Sequence, residues 1–287
     1  MSFGLALAGG GCRGAAHVGV LLALEEAGLR PASISGASAG AIVAGLYACG
    51  MSPAAMRERI VTLSPRGGWL LDVDLSGLLR AVGELLTRRP VSLSGLLRGE
   101  RLRRVLAAYT ADGRMADARL PLFIPAVDLT SGETIAFHST ARVPRPIKGV
   151  RWVRDAALAD AIHASSAVPA VFAPVLLGDC CLVDGGVANV LPVDLLLAYG
   201  ERITLAVDLA EPYASPLGDS LFEIASHSLT VMSARLKDCV VRGERLLIRP
   251  ALPDDAGLFT FGLMEECVDA GYRAAKELIP IIRALDR

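Results

Sequence analysis

The sequence predicts an α/β protein with a largely parallel sheet covered by helices on both faces. Three observations point there. Short apolar runs alternate with helical stretches from the first residues, several of these runs are buried-type along their whole length, and Gly28, Gly50 and Pro53 punctuate the first helices. At 287 residues the chain is long enough for a substantial core.

In chain order, Gly4 to Ala8 reads as a strand and Ala15 to Ala27 as a helix stopped by Gly28. Pro31 to Ser35 is a second short strand, followed by a helix from Ala39 to Cys49 and another opened by Pro53. This is a βαβα start. Leu122 to Asp128 and Glu133 to Phe137 flank Leu129-Thr130-Ser131-Gly132, a hairpin with a glycine-containing turn. Further strands are expected at Val175 to Leu177, Ile203 to Asp208 and Leu246 to Arg249, and an amphipathic helix at Leu221 to Leu236.

Composition narrows the function. Lys+Arg number 29 and Asp+Glu 30, so no overall positive field exists to gather nucleic acid, and none is expected as a partner. Hydrophobic residues make up 53% and aromatics only 5%, which points to tight packing of small side chains or mild membrane affinity. The 26 uncharged residues between Arg30 and Arg57 are interrupted by Gly36, Gly40, Gly45, Gly50 and Pro53, so a core helix is expected there instead of a membrane span. Met1 to Leu5 lacks the positive start of a secretion signal. The six cysteines are scattered without metal spacing, so no metal is expected and a reduced, cytoplasmic location fits.

Residues 65–104 break the alternation with Gly67-Gly68-Trp69 and a run of arginines including Arg88, Arg89, Arg98, Arg101, Arg103 and Arg104. The plainer reading is a surface helix pair whose Leu96, Leu97, Leu102, Val105 and Leu106 pack on the sheet while the arginines face water. The sharper one is a cap that meets anionic lipid through those arginines and Trp69.

Gly9, Gly11 and Gly14 form G-x-G-x-x-G between a strand and a helix. A dinucleotide site would also need an acid near the end of the second strand, yet none occurs between Glu26 and Arg57. What remains is a glycine turn whose N–H groups can receive a developing oxyanion. The second strand ends in Gly36-Ala37-Ser38-Ala39-Gly40, a G-x-S-x-G at a strand-to-helix junction, where a nucleophile elbow belongs.

A serine nucleophile needs a base. Ser38, Asp184 or Asp208, and His227 would make a triad in the order Ser, Asp, His, but His227 falls within a helical pattern where hydrolase histidines do not normally sit. Asp184, at a strand end before Gly185 and Gly186, is the better base, provided an apolar pocket raises its pKa. His17 reads as a core histidine.

The glycine turn with Arg13, the serine elbow and Asp184-Gly185-Gly186, in this order, resemble the patatin-like phospholipase family, notably its compact bacterial members. Leu5 to Leu21, Ala164 to Pro169, and Asp184 to Pro192 resemble its opening block, the stretch before its acid, and its acid block. The resemblance implies a three-layer α/β/α sandwich with a mostly parallel central sheet; residues 1–287 read as one acyl-hydrolase domain, and 65–104, where the alternation lapses, is its candidate cap or lid insertion. It implies a serine acyl hydrolase of lipid or fatty-acyl esters, working through a Ser38–Asp184 dyad without histidine. The N–H groups around Gly9, Gly10 and Gly11 would form the oxyanion hole, Arg13 would fix that loop or meet a phosphate, and Gly14 would complete the turn. No cofactor and no calcium are implied. Ala8 and His163 depart from the family's pattern, where a polar residue and an arginine are common. The competing reading is a lipid-binding regulatory protein on the same fold, and peripheral contact with the inner face of a membrane is a candidate partner interaction.

Overall fold

The computed structural model describes residues 2–285 apart from 89, 91, 210–223, 225–227, 229, 230, 234 and 238–242. His227, with much of the helix expected over 221–236, lies outside the described residues. The chain begins β1 (Gly4–Leu7), α1 (Ala15–Glu26), β2 (Ser33–Gly36), α2 (Ala39–Ala48) and α3 (Pro53–Leu63). Next come α4 (Leu75–Leu86), α5 (Glu100–Tyr109), β3 (Leu122–Asp128), β4 (Thr134–His138), β5 (Val150–Val153) and α6 (Leu158–Ser165). The remainder is β6 (Val175–Leu177), β7 (Cys180–Asp184), α7 (Val193–Tyr199), β8 (Thr204–Val207), β9 (Leu246–Ile248) and α8 (Met264–Ala284).

The strand order β5-β4-β3-β2-β1-β8-β9 makes a mostly parallel sheet with helices packed around it, the α/β/α sandwich. All residues of β1, β2, β3 and β8 are buried, so these strands read as apolar or small-residue runs without alternation. The hairpin expected around Leu129 to Gly132 is the antiparallel pair β3–β4. Asp128 organises it: its carboxylate accepts from the Thr130 N–H, the Thr130 and Ser131 hydroxyls, and the Cys181 N–H of β7. Helices α1 and α8 approach to backbone contact, because a Cβ at Gly19 would lie 1.8 Å from the Val268 oxygen and one at Gly271 1.9 Å from the Ala16 oxygen.

One detail of pairing positions the site. β2 runs parallel to β3 over Ile34 and Ser35, which face Leu122 and Phe123. β7 runs antiparallel to β3, with Asp184 opposite Ala126. Both occupy the same side of β3, so β2 and β7 meet head to head. Ser35 and Asp184 lie opposite residues three apart on β3, about 10 Å at strand rise. The chain leaving β2 turns within that gap.

Candidate active site

Ser38 caps α2 with φ 53 and ψ −123, a conformation that costs a residue with a side chain about 1–3 kcal/mol. Its surroundings impose it. The Ala37 N–H still donates to the Leu7 carbonyl at 3.2 Å, so β2 is held to the sheet until one residue before the turn. The helix then starts at once, with Gly40 N–H on the Ala37 carbonyl at 2.8 Å and Ala41 N–H on that of Ser38 at 2.9 Å. Such a tight reversal brings Gly36 and Gly40 together: a Cβ at Gly36 would sit 2.2 Å from the Gly40 oxygen, and one at Gly40 2.3 Å from the Leu7 oxygen. Neither glycine has positive φ, so the need is for space rather than for a special conformation.

The end of α6 clamps the same turn. The Ser38 N–H donates to Ser165 Oγ at 3.1 Å, and Ser166 Oγ donates to the Ser38 carbonyl at 3.3 Å. Two residues later the Ala167 carbonyl accepts the Asp184 N–H at 2.9 Å, so one segment grips both serine and acid. Sequence reasoning marked Ala164 to Pro169 as a motif but gave these hydroxyls no role.

Asp184 is buried at the end of β7. Its Oδ1 accepts the Gly186 N–H at 2.6 Å, while Oδ2 has no partner at full hydrogen-bond geometry among the described residues. Ser38 nonetheless lies near enough for its hydroxyl to hold the acid's pKa down, a close approach that falls short of a formed bond. Burial outweighs that effect and the Gly186 N–H, and pushes the carboxyl up to about 6.

The glycine turn lies beside the elbow. Gly9 packs against Ser38, since a Cβ there would meet the serine Cβ at 3.2 Å, and Gly14 packs against Ala39. Gly11 has φ +57 and passes so near Leu258 that a Cβ would lie 2.6 Å from its Cα. The Gly9 N–H donates to the Val190 carbonyl and that of Cys12 to the Leu258 carbonyl, whereas no acceptor for the N–H of Gly10 or Gly11 is found among the described residues. Arg13 is buried and its Nε donates to the Gly10 carbonyl at 3.3 Å, the geometry of a brace across the turn. Burial lowers its pKa to about 10, so it stays charged. His17 donates from Nε2 to the Ala8 carbonyl at 2.8 Å, and burial lowers its pKa to about 4, leaving a neutral core ring that ties α1 to the end of β1. Gly185 follows the acid because a Cβ there would lie 2.2 Å from the Pro125 oxygen.

Ser38 opens into an apolar cavity of about 280 Å³. Ile42, Val43 and Leu46 of α2 form its floor; Met56, Ile60 and Leu63 of α3 and Leu102, Val105, Leu106 and Tyr109 of α5 form its walls. Both wall helices present the i, i+3 or i+4, i+7 stripe of one helix face.

Other candidates fall elsewhere. Asp208 is engaged by Lys237 at 2.6 Å and Arg249 at 3.1 Å. His163 is buried under α5, where a Cβ at Gly99 would meet its Nε2 at 2.3 Å, and burial lowers its pKa. No group of three His, Cys, Asp or Glu that could hold a metal occurs among the described residues.

A G-x-S-x-G serine on a strained strand-to-helix turn, beside a buried carboxyl in the gap where β2 and β7 meet along β3, defines an α/β protein of the serine-elbow class. Residues 5–197 match the family described as Patatin-like phospholipase, and the chain belongs to that family. It is 29% identical over 216 residues to an uncharacterized NTE family protein of Mycobacterium tuberculosis, covering 75% of this chain and 51% of that one. To the lysophospholipase NTE1 of Mycosarcoma maydis it is 26% identical over 304 residues, 97% of this chain and 15% of the relative. The chain thus spans about half the length of the mycobacterial relative and far less of the fungal one. Among solved structures, VipD from Legionella pneumophila shares the fold, with a TM-score of 0.50 at 16% identity over 97% of this chain and 67% of that one.

Proposed function

We propose that the protein is a lipolytic serine acyl hydrolase using Ser38 and Asp184 as a dyad. The observation that carries this reading is the buried carboxyl, its pKa raised to about 6, beside an elbow serine that opens into an apolar cavity. At neutral pH Asp184 is mostly ionised yet basic enough to take a proton. Ser38 Oγ attacks the ester carbonyl as Asp184 Oδ2 accepts the hydroxyl proton. The tetrahedral oxyanion rests on the N–H groups of Gly10 and Gly11, with Arg13 holding their turn. Collapse breaks the ester C–O bond, and the proton passes from Asp184 to the departing alcohol. Water, deprotonated by Asp184, then attacks the acyl-enzyme and frees the fatty acid.

The lysophospholipase activity named for the fungal relative is consistent with a fatty-acyl ester substrate, whose chain the cavity would hold. We place the reaction at a membrane surface on its cytoplasmic side. Among the described residues no helix is long and apolar enough to cross a membrane.

The test is a panel of acyl esters, lysophospholipids and phospholipids assayed with the intact protein and with Ser38→Ala. Turnover of at least one fatty-acyl ester, lowered about a thousandfold or more in the variant, is expected. Equal activity in both would contradict the assignment. His227→Ala should keep most of the activity, and a folded but inactive His227→Ala would favour a triad.

A further inference from the structure

Surface helices of a globular protein turn their apolar stripe inward. Helix α4 does the reverse. Leu75, Leu79 and Leu86 fall within a sector of about 40° at 100° per residue, and Leu85 lies about 80° round from Leu75. Their exposures are 68%, 74%, 79% and 68%. The side of α4 toward the protein carries Gly77, buried over the Asp74 cap, half-buried Leu78 and Ala81, and Glu84, which folds onto Ser92, accepting from its N–H and hydroxyl at 2.7 Å. Just before α4, Trp69 is half exposed, and Trp69, Leu70 and Leu71 also line the cavity that reaches Ser38.

We infer that α4, with the Trp69 turn, is an interfacial helix that lies on an anionic lipid surface, its leucines sunk among the acyl chains and the mouth of the Ser38 cavity facing the bilayer. Charge complementarity selects this occupant. Residues 64–104 carry eight arginines against four acids, although the whole chain has a formal charge of −1. Three of those acids are engaged internally, Asp72 by the Gly99 and Arg101 N–H groups, Asp74 by Arg98 at 2.6 Å and Glu84 by Ser92, and Arg98 and Arg103 are tied in turn to Asp74 and Asp160, while Arg66, Arg80, Arg88 and Arg104 stay exposed around the segment. A second copy is the poorer fit, because a two-fold contact through α4 would bring two arginine-rich segments of the same sign together. Continuity with the cavity supplies the second argument: a chain leaving the bilayer at Trp69 meets an apolar path without crossing water. The sharper of the two readings of 65–104 makes the arginines and Trp69 the lipid-facing groups; here the leucines of α4 are the principal contact.

The inference extends the proposed function, but its test does not depend on turnover. Full-length Ser38→Ala protein is mixed with sucrose-loaded vesicles of phosphatidylcholine containing phosphatidylglycerol and sedimented. Partition into the pellet is expected, weaker with phosphatidylcholine alone and weaker at high salt. The variant Leu79→Ser/Leu86→Ser should bind about tenfold or more weakly, with an unchanged circular dichroism spectrum. In an otherwise native background it should lose hydrolysis of vesicle lipid while keeping hydrolysis of a soluble short-chain ester. Brominated lipid should quench Trp69 in the bound protein. Undiminished binding by the double variant would overturn the inference. So would a dimer in light scattering that becomes monomeric in that variant, which would make a second copy the occupant.

Discussion

The elbow region and the 65–104 segment are built on opposite terms. Around Ser38 backbone meets backbone: Gly36, Gly40 and Gly185 leave no room for a methyl group, and the serine is held at positive φ by β1 on one side and α6 on the other. In α4, Gly83 has nothing within 4 Å of where its Cβ would lie, and the leucines face outward. The contrast suggests a division of labour. One region is over-determined, so that reacting atoms stay in place; the other leaves its apolar surface without a protein partner.

That comparison can be broken by substitution, starting where the effect should be largest. Gly36→Ala forces a methyl group against the Gly40 carbonyl and should cost about 3 kcal/mol or more, read as a loss of cooperative unfolding or of folded yield. Leu24→Ala in the buried face of α1 should cost about 2–5 kcal/mol in urea unfolding, whereas Leu79→Ala in α4 should stay within about 0.5 kcal/mol. Equal losses at the two leucines would mean that α4 is packed like the core.

Asp184→Asn should stabilise the fold at neutral pH by about 1–3 kcal/mol. The folded-state value of about 6 lies above the ordinary carboxylate value of about 3.9. The folded protein therefore binds this proton more tightly, and the stability it gives is complete below about pH 4 and lost as pH rises through about 6. The difference between the Asp184→Asn variant and its parent should accordingly vanish in acid, as followed by thermal unfolding at several pH values. Smallest of all, Gly83→Ala should raise stability by about 0.5–1 kcal/mol, because the helix gains propensity and meets no obstacle.

Where the sequence was readable, the signal was local. Gly9 to Gly14, Gly36 to Gly40 and the Leu129 to Gly132 turn are spaced by steric need within a few residues, so the first strands, their helices and the β3–β4 hairpin could be placed closely. The head-to-head approach of β2 and β7 was not readable, since it arises from β3 pairing with both along one side. The three-residue run Val175 to Leu177 carried no sign of direction, and it pairs antiparallel with β7 off the main sheet path. Leu97 and Leu106 are buried, Leu97 against Val171 and Phe172 in a cluster of its own apart from the main core, and neither expectation for 65–104 included the outward leucines of α4. Periodicity defines a face without saying what covers it. The hydroxyls of Ser165 and Ser166 belong to a recognisable motif, yet their grip on Ser38 depends on α6 ending beside α2, a tertiary fact.

The central claim is that a single buried carboxylate activates Ser38. Its most direct measurement is the rate of fluorophosphonate labelling of the intact protein against pH, with the modified residue located by mass spectrometry. The dyad predicts a label on Ser38 whose rate rises through about pH 6, nearly disappears in Asp184→Asn and persists in His227→Ala. Labelling indifferent to Asp184, or abolished by His227→Ala in a folded protein, would contradict it.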